Sequence, residues 1–268
     1  DNIRYGNSED GTNWTGIVEL TATTGLGCSA IIFDDKIVVA NPSLNSKVSI
    51  SYSYDDINWA YNVMDITLSS IPSLHVENNI LKLYFADTQR LLKVIESVDA
   101  INWTTPVYVN DNVGQHIIAY TDIHVDESGQ ILYNGVIDGG VNKGLTTAQT
   151  SPAPVRRVTN TETTNCTGKF NTHGGATSTN GLIAMASFST DKITLLTESG
   201  CGWVKNVRNQ SSGNRPSITY NEYLGKYTLV FTHFSSHIYY IESTDGVNWS
   251  NQQLAYGQTM WTPFILSQ

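Results

Sequence analysis

Residues 53–59 read Ser-Tyr-Asp-Asp-Ile-Asn-Trp, and closely similar phrases return at 8–14, 97–103 and 243–249. A degenerate copy, Thr-Glu-Ser-Gly-Cys-Gly-Trp, stands at 197–203. The five tryptophans at 14, 59, 103, 203 and 249 are therefore spaced by about 45 residues, with one interval close to twice that. A copy without tryptophan is expected near 147–155. A fixed period of this size is typical of a repeat architecture.

Short runs of β-branched and aromatic residues, separated by turn residues, fill the sequence between the phrases. Three units predict four strands each: 28–33, 36–40, 47–52 and 59–63; 72–76, 80–85, 91–95 and 103–109; 216–220, 226–231, 237–241 and 249–254. No helical periodicity interrupts them. Four strands per unit predict the blades of a β-propeller, with the phrase in the turn between the third and fourth strands.

The two ends of the chain carry complementary parts of one unit. Residues 2–6 have a third-strand pattern, and residues 262–266 have a first-strand pattern similar to that at 215–219. The last blade is therefore expected to be built from both termini and to lack a second strand. The predicted fold is all-β, a six-bladed β-propeller with four-stranded antiparallel blades, in a single domain covering residues 1–268.

The composition excludes several classes of function. The net charge is −9, and the 15 lysines and arginines form no basic run, so nucleic acid is not an expected partner. No apolar stretch approaches ~18 residues, so membrane insertion is not expected. Three cysteines without a CxxC pair indicate neither a zinc site nor a disulfide framework, and one disulfide or three free thiols both fit. No cofactor or metal site is predicted.

The phrase resembles the Asp-box (BNR) repeat of the sialidase-like β-propeller superfamily, whose pattern is Ser-x-Asp-x-Gly-x-x-Trp. The version in this chain is one residue shorter. Its Ser and Asp can accept backbone N–H groups and lock a turn, and its Trp can bury a large apolar surface. Because the same residues recur in every unit, we interpret them as structural, although acids and aromatic rings could also serve catalysis or sugar stacking.

A ligand site requires asymmetry, which the predicted starts of the innermost strands provide. Alignment of the first strands places one residue of each unit at the strand start: Gly27, Ile71, Tyr120, Gly174, Arg215 and Trp261. Two residues further on lie Ser29, Ser73, Asp122, Ala176, Ser217 and Pro263. In a propeller these starts surround the central mouth. The two longest connections to this mouth, 110–119 and 159–175, contain His116 and His173.

The candidate ligand-binding residues are of types that suit a sugar. They are Tyr120, Asp122, Arg215, Trp261, His116 and His173. Aromatic rings pack on sugar C–H faces, Asp and His bond to hydroxyls, and Arg can bind a carboxylate in a bidentate manner. Structural roles remain open, because Arg215 could pair with an acid of a neighbouring blade and Trp261 could pack in the core.

Resemblance to sialidases raises the question of hydrolysis. That family uses an arginine triad, a Tyr–Glu nucleophile pair and an acid/base Asp, and here Arg215-Pro216 resembles one arginine position. The complete triad and a paired carboxylate for Asp122 are not visible. The sequence therefore favours a carbohydrate-binding propeller (a lectin, an adhesin or a viral or phage receptor-binding domain), secreted or on a virion surface, with a glycan as partner. Alternatives are a sialidase-like glycoside hydrolase acting on an acidic glycan and a protein-interaction scaffold. Oligomeric state is not predicted.

Overall fold

Strands and tight turns make up the secondary structure in the part of the chain that the computed structural model describes, and no helix occurs there. That part comprises residues 3–9, 13–20, 27–111, 114–115, 118–125, 130–137, 142–149, 172–179, 182–187, 192–199, 202–233 and 237–256. A search of these residues accordingly finds no helix able to cross a membrane.

The second unit of the repeat forms a four-stranded antiparallel sheet in the predicted order. Its strands are β3 (Ser29–Phe33), β4 (Lys36–Pro42), β5 (Lys47–Ser53) and β6 (Ala60–Thr67). Asp34 and Asp35 form the predicted turn, with φ angles of 51° and 57°. Two successive residues with positive φ are typical of a type I′ hairpin, whose twist matches that of the strands.

The third unit repeats this arrangement. Its strands are β7 (Ser73–Glu77), β8 (Ile80–Ala86), β9 (Leu92–Ser97) and β10 (Val107–Tyr108). Asn78 and Asn79 adopt positive φ angles in the first hairpin, and Asn tolerates this conformation better than most residues. The prediction of four-stranded sheets is confirmed for both of these units.

The remaining described strands continue the same pattern with local differences. The N-terminal strands β1 (Arg4–Asn7) and β2 (Thr15–Glu19) form a two-stranded sheet. After β10 comes a short hairpin of β11 (Asn110–Asp111) and β12 (Gly114–Gln115). A three-stranded sheet follows, made of β13 (Ile118–Val125), β14 (Gln130–Ile137) and β15 (Asn142–Gln149). The connection predicted at 110–119 thus contains a β-hairpin. Most of the phrase copy expected near 147–155 lies outside the described residues.

One long strand joins the last two described units. The seven strands of this sheet are β16 (Thr172–Thr179), β17 (Leu182–Ser187), β18 (Lys192–Ser199), β19 (Gly202–Asn221), β20 (Lys226–His233), β21 (Ile238–Ser243) and β22 (Gln253–Tyr256). Up to Ser212, β19 pairs with β18, and from Gly213 it pairs with β20. The outer strand of one unit therefore continues, without a loop, into the inner strand of the next.

The outer strands of two units begin later than predicted, at Val107 rather than residue 103 and at Gln253 rather than residue 249. In each case a hydroxyl replaces a backbone acceptor directly after the phrase. Thr104 Oγ1 accepts the N–H of Glu96 at 2.9 Å, and Ser250 Oγ accepts the N–H of Glu242 at 3.0 Å. In each unit the two segments are therefore joined before regular pairing starts, by this side-chain bond and by one backbone bond, from the N–H of Thr104 to the carbonyl of Glu96 or from the N–H of Ser250 to the carbonyl of Glu242.

Apolar side chains on alternate positions of β4 cover both faces of the β3–β6 sheet. Val38 and Ala40 belong to a core cluster shared with the β7–β10 sheet, whereas Ile37 and Val39 belong to a cluster that includes Leu20, next to β2. Side chains alternate between the two faces of a strand, so β4 is buried on both sides. The β3–β6 sheet thus packs face to face with a neighbour on each side, as a blade does.

The innermost strands of successive sheets lie next to one another. Contacts join β3 to β7, β7 to β13, β13 to β16 and β16 to β19. Ser29 Oγ, which is buried, accepts the backbone N–H of Leu74 at 3.0 Å and so ties β3 to β7. The first strand of each unit therefore occupies the inner position that the repeat predicts.

Candidate functional site

The repeated phrase forms the same hydrogen-bonded turn at each of the three copies that the structure describes in full. In the copy at 97–103, one carboxylate oxygen of Asp99 accepts the N–H groups of Ile101 and Asn102, both at 2.8 Å. The other oxygen accepts the Asn102 amide at 2.8 Å. The copies at 53–59 and 243–249 contain the same bonds.

One position of the phrase has a left-handed backbone conformation, which explains why the related Asp-box pattern contains a glycine. Asp56, Ala100 and Gly246 occupy equivalent places and have φ angles of 62°, 62° and 70°. The carbonyl of each accepts the indole N–H of the phrase tryptophan, at 3.0 to 3.2 Å. Only glycine adopts this conformation without steric cost, so Asp56 and Ala100 are held there by the turn.

The degenerate copy at 197–203 forms a shorter turn. Ser199, the last residue of β18, pairs directly with Gly202, the first residue of β19. Two residues then connect the strands, in place of the longer turn that Asp99 and its equivalents organise. This copy lacks the Asp and Asn of the phrase, and its shorter connection does not need them.

These hydrogen bonds stabilise the ionised carboxylates. The N–H and side-chain amide of Asn58, followed by the N–H of Ile57, lower the pKa of Asp55 to about 2. The equivalent bonds from Asn102 and Asn248 lower the pKa values of Asp99 and Asp245 further. A carboxylate held in this way is a poor proton donor near neutral pH, which agrees with a structural role.

Acidification should therefore weaken the fold through these turns. Because the folded pKa lies below the unfolded value of about 3.9, the stabilisation is complete above about pH 4 and is lost as the pH falls towards about 2. We expect the urea midpoint of the natural protein to exceed that of the triple variant Asp55→Asn, Asp99→Asn, Asp245→Asn at pH 7. The difference should shrink at pH 2.5, because these carboxyl groups are protonated in the unfolded state below about pH 4 although they stay largely ionised in the folded state. A difference that stays constant between the two pH values would contradict this account.

Phrase tryptophans pack between neighbouring sheets. The ring of Trp59 lies 5.4 Å from that of Tyr5 on β1, and Trp103 packs on the cluster shared by the β3–β6 and β7–β10 sheets. Trp249 packs on a cluster that includes Leu195 of β18. For the described copies, the structure confirms that the conspicuous Asp and Trp residues lock turns and join sheets.

Four of the six candidate ligand-binding residues lie on innermost strands. Tyr120 and Asp122 are on β13, His173 is on β16, and Arg215 is on β19. The sequence predicts a connection at His173, but the backbone places this residue in a strand. The side chains of these four residues, and His116 and Trp261 entirely, lie outside the described residues. The backbone thus brings four of the candidates onto three adjacent strands.

Each of these three strands is irregular where the candidates occur. Between the pairs Ile118↔Gly135 and Ile123↔Tyr133, β13 advances five residues while β14 advances two. Between Thr172↔Ser187 and Ala176↔Met185, β16 advances four residues while β17 advances two. Between Asn214↔Thr232 and Ser217↔Val230, β19 has one extra residue. Bulges of this kind are common beside functional sites, where they redirect the chain.

The strand register limits the alignment of the strand starts. Gly27, Ile71 and Arg215 each lie six residues before the last paired residue of the first hairpin. The same count reaches His173 from Thr179 and Ala119 from Val125, one residue before the aligned Gly174 and Tyr120. Because β13, β16 and β19 contain different numbers of extra residues, this count does not make the positions equivalent, and the pairing places each candidate only within the bulge of its strand.

The second predicted ring has a structural role where its side chains are described. Ser29, Ser73 and Ser217 are at most 5% exposed, and Ser29 joins two sheets as stated above. Asp122 lies within the irregular part of β13, so its position does not follow from that of the serines.

A buried ion pair that sequence reasoning missed lies at the turn between β8 and β9. Lys93 Nζ is 3.0 Å from Asp87 and 4.4 Å from the centre of the Tyr108 ring. Burial alone would raise the pKa of Asp87, but the N–H groups of Leu91 and Gln89 and the charge of Lys93 lower it. No local motif signals this cluster, because its members meet only when β8, β9 and β10 pair.

Metal and thiol chemistry find no support among the residues that the structure describes. No group of three or more His, Cys, Asp or Glu side chains there could hold a metal ion. Cys28 is a free thiol, and burial raises its pKa to about 12, so it is not a nucleophile at neutral pH.

Comparison with known proteins gives no match by sequence and many by structure. No protein-family model matches the chain. No curated protein matches it. AofleA from Arthrobotrys oligospora superposes with a TM-score of 0.61 at 8% identity, covering 90% of this chain and 73% of that chain.

Two further structures represent lectins and sialidases. The Aleuria aurantia lectin, described as a six-bladed β-propeller with a novel mode of fucose recognition, has a TM-score of 0.59 at 13% identity, covering 90% of this chain and 82% of that chain. Trypanosoma rangeli sialidase, in complex with the inhibitor DANA, has a TM-score of 0.51 at 15% identity, covering 85% of this chain and 48% of that chain. At these identities the likeness shows the fold alone, and the fold of this chain is the β-propeller.

Proposed function

We propose that the protein is a carbohydrate-binding β-propeller whose ligand site lies at the central mouth. The observation that carries this proposal is the asymmetry of the innermost strands. Polar and aromatic residues occur at the irregular parts of β13, β16 and β19, whereas Gly27 and Ile71 precede the regular strands β3 and β7. The same fold includes lectins solved with fucosides, such as the Aleuria aurantia lectin with α-methyl-L-fucoside.

In this proposal each candidate has a role that its chemistry permits. Tyr120 and Trp261 stack on sugar rings, and Asp122, His116 and His173 form hydrogen bonds with hydroxyls. Arg215 forms paired hydrogen bonds with hydroxyls or with the carboxylate of an acidic sugar. A lectin of this kind meets its glycans outside the cell or from a virion surface, which is where we expect it to act.

We further infer that the phrase is a shortened Asp-box and that six blades form a ring closed by both termini. Support comes from Trp14, which packs on Val230, Ile238 and Tyr240 of the β19–β22 unit. On its other side the N-terminal sheet contacts β4 and Trp59 through Ile3 and Tyr5. The N-terminal strands thus lie between the last and the second units, as a closing blade requires.

A glycan array tests the proposed site. We expect the natural protein to bind a restricted set of glycans, and Arg215→Ala or Tyr120→Ala to weaken binding about tenfold or more, as removal of a buried polar or stacking group does. Matched controls are Arg90→Ala and Tyr223→Ala, because both side chains are exposed, in turns outside the proposed site. Binding that is unchanged in the first pair, or equally weakened in the controls, would contradict the site.

Glycoside hydrolysis is the second candidate, favoured by the structural similarity to a sialidase. A panel of fluorogenic glycosides measured alongside the array separates the two functions. Turnover lost in Asp122→Asn and Arg215→Ala would favour the hydrolase, and binding without turnover would favour the lectin. Turnover that survives both changes would contradict the proposed site and also the proposal that the protein binds sugars without hydrolysing them. A protein-interaction scaffold, the third alternative, predicts neither activity.

A further inference from the structure

The irregular innermost strands are confined to one side of the ring of sheets. The strands β13, β16 and β19 are consecutive, and each contacts the next. All three contain extra residues, near the starts of β13 and β16 and at the beginning of the half of β19 that pairs with β20. By contrast, the pairing of β3 with β4 and of β7 with β8 is regular throughout. The described inner strands therefore divide into a bulged sector, β13–β16–β19, and a regular sector, β3–β7.

Residue type follows the same division. The bulged sector carries Tyr120, Asp122, His173 and Arg215 at its irregular positions, and each can stack on a sugar or form hydrogen bonds with one. The regular sector has Gly27 and Ile71 at the equivalent strand starts, and neither side chain can form a hydrogen bond. Backbone geometry and chemistry thus change together between the two sectors.

The size of the bulged sector indicates the size of its ligand. Cα atoms of neighbouring innermost strands approach within 8 Å, so these three strands span on the order of 15 Å. One sugar ring covers only a fraction of that distance. A ligand that uses residues on all three strands must therefore be longer than a monosaccharide.

We infer that the chain binds a single oligosaccharide, laid across the bulged parts of β13, β16 and β19, and that the β3–β7 sector only supports this site. The inference rests on the proposed function and makes it more specific. It predicts one ligand per chain, in contrast to repeated equivalent sites between blades. Repeated sites would require similar residues in every unit, and the strand starts differ from unit to unit.

Titration calorimetry with sugars of increasing length tests this inference. The probes are methyl α-L-fucoside, lactose, lacto-N-tetraose, and the fucosylated and sialylated forms of lacto-N-tetraose. We expect the affinity for at least one tetrasaccharide or larger probe to exceed that for its monosaccharide and disaccharide parts by about tenfold or more, with one ligand per chain. A shorter probe leaves part of the site empty and binds with less free energy, and a tenfold change in affinity requires only a modest difference.

Variants on the two outer strands of the bulged sector provide the second part of the test. Tyr120→Leu removes the aromatic ring and Arg215→Lys removes the paired hydrogen bonds, and both retain much of the volume of the side chain; thermal unfolding verifies that each variant is folded. Both variants should lower the affinity for the longest probe by about fivefold or more. A short probe reaches only one end of the site, so at least one of the two variants should leave the affinity for short probes nearly equal to that of the natural protein. Arg90→Lys serves as the matched control.

The outcomes separate this inference from the function on which it rests. If none of the probes binds, the proposed function fails and the inference fails with it. If sugars bind but a monosaccharide binds as tightly as the longer probes, or if two or more bind per chain, the protein is a lectin and the single extended site is wrong. If only one of the two variants lowers the affinity for the longest probe, the site does not span the three strands.

Discussion

Phe85→Ala should lower the free energy of unfolding by about 3–5 kcal/mol, the range for truncating a buried phenylalanine. Phe85 lies on β8, is 1% exposed, and belongs to the cluster that joins the β3–β6 and β7–β10 sheets. The same cluster contains Val38 and Ile50, on two strands of the adjacent sheet. Alanine would leave a cavity between two sheets that have no backbone hydrogen-bond ladder in common.

Urea denaturation followed by circular dichroism measures this effect. Phe85→Leu retains most of the buried volume and should cost less than about 1.5 kcal/mol. Val107→Ala, on the exposed outer strand β10, should stay within about 0.5 kcal/mol of the natural protein. A loss below about 1 kcal/mol for Phe85→Ala would mean that the two sheets do not depend on this contact.

Sequence predicts the second and third units well because their strands follow the phrase at a constant distance. Local signals also agree there, since Asp34-Asp35 forms the predicted hairpin turn and β-branched residues fill β4. The role of the phrase was equally predictable. A residue type that recurs in every unit is needed by every unit, and the bonds of Asp55, Asp99 and Asp245 confirm this for the described copies.

Features that depend on pairing between distant residues were not predictable in the same way. The continuous strand β19 results from two partners, β18 and β20, that pair with its two halves. The late starts of β10 and β22 depend on the hydroxyls of Thr104 and Ser250, which substitute for backbone groups. Neither effect changes the pattern of apolar residues, so periodicity gives no sign of it.

The candidate site illustrates the same limit. Composition at the strand starts identified Tyr120, Asp122, His173 and Arg215 as unusual, and the backbone places them on adjacent strands. Their register did not follow from the alignment, because bulges add residues to one strand only. The bulges of β13, β16 and β19 contain three, two and one extra residues, so a single residue count does not align the three strands. The fixed length of the repeat therefore predicts which strands carry the candidate site more reliably than it predicts the position of each residue on those strands.

Trp14→Ala should destabilise the whole domain by about 2–4 kcal/mol if the N-terminal sheet closes the ring. Trp14 is half-buried against Val230, Ile238 and Tyr240, which lie far from it in sequence. In the other described copies the phrase tryptophan likewise packs between two units, as Trp249 does with Leu195. A closing blade makes this packing part of the cooperative core, so its removal should lower the global urea midpoint.

An open arrangement predicts a different result for the same variant. The N-terminal strands would then unfold locally, and the global midpoint would stay within about 0.5 kcal/mol of that of the natural protein. Trp249→Ala supplies the matched comparison, because Trp249 packs in the same way within an internal unit, and Tyr223→Ala supplies a control at a residue that is 92% exposed. Equal losses for the two tryptophan variants, beside an unchanged Tyr223→Ala, would indicate that the contact across the termini is equivalent to a contact between internal blades. A loss confined to Trp249→Ala would show that the N-terminal sheet is not the closing blade.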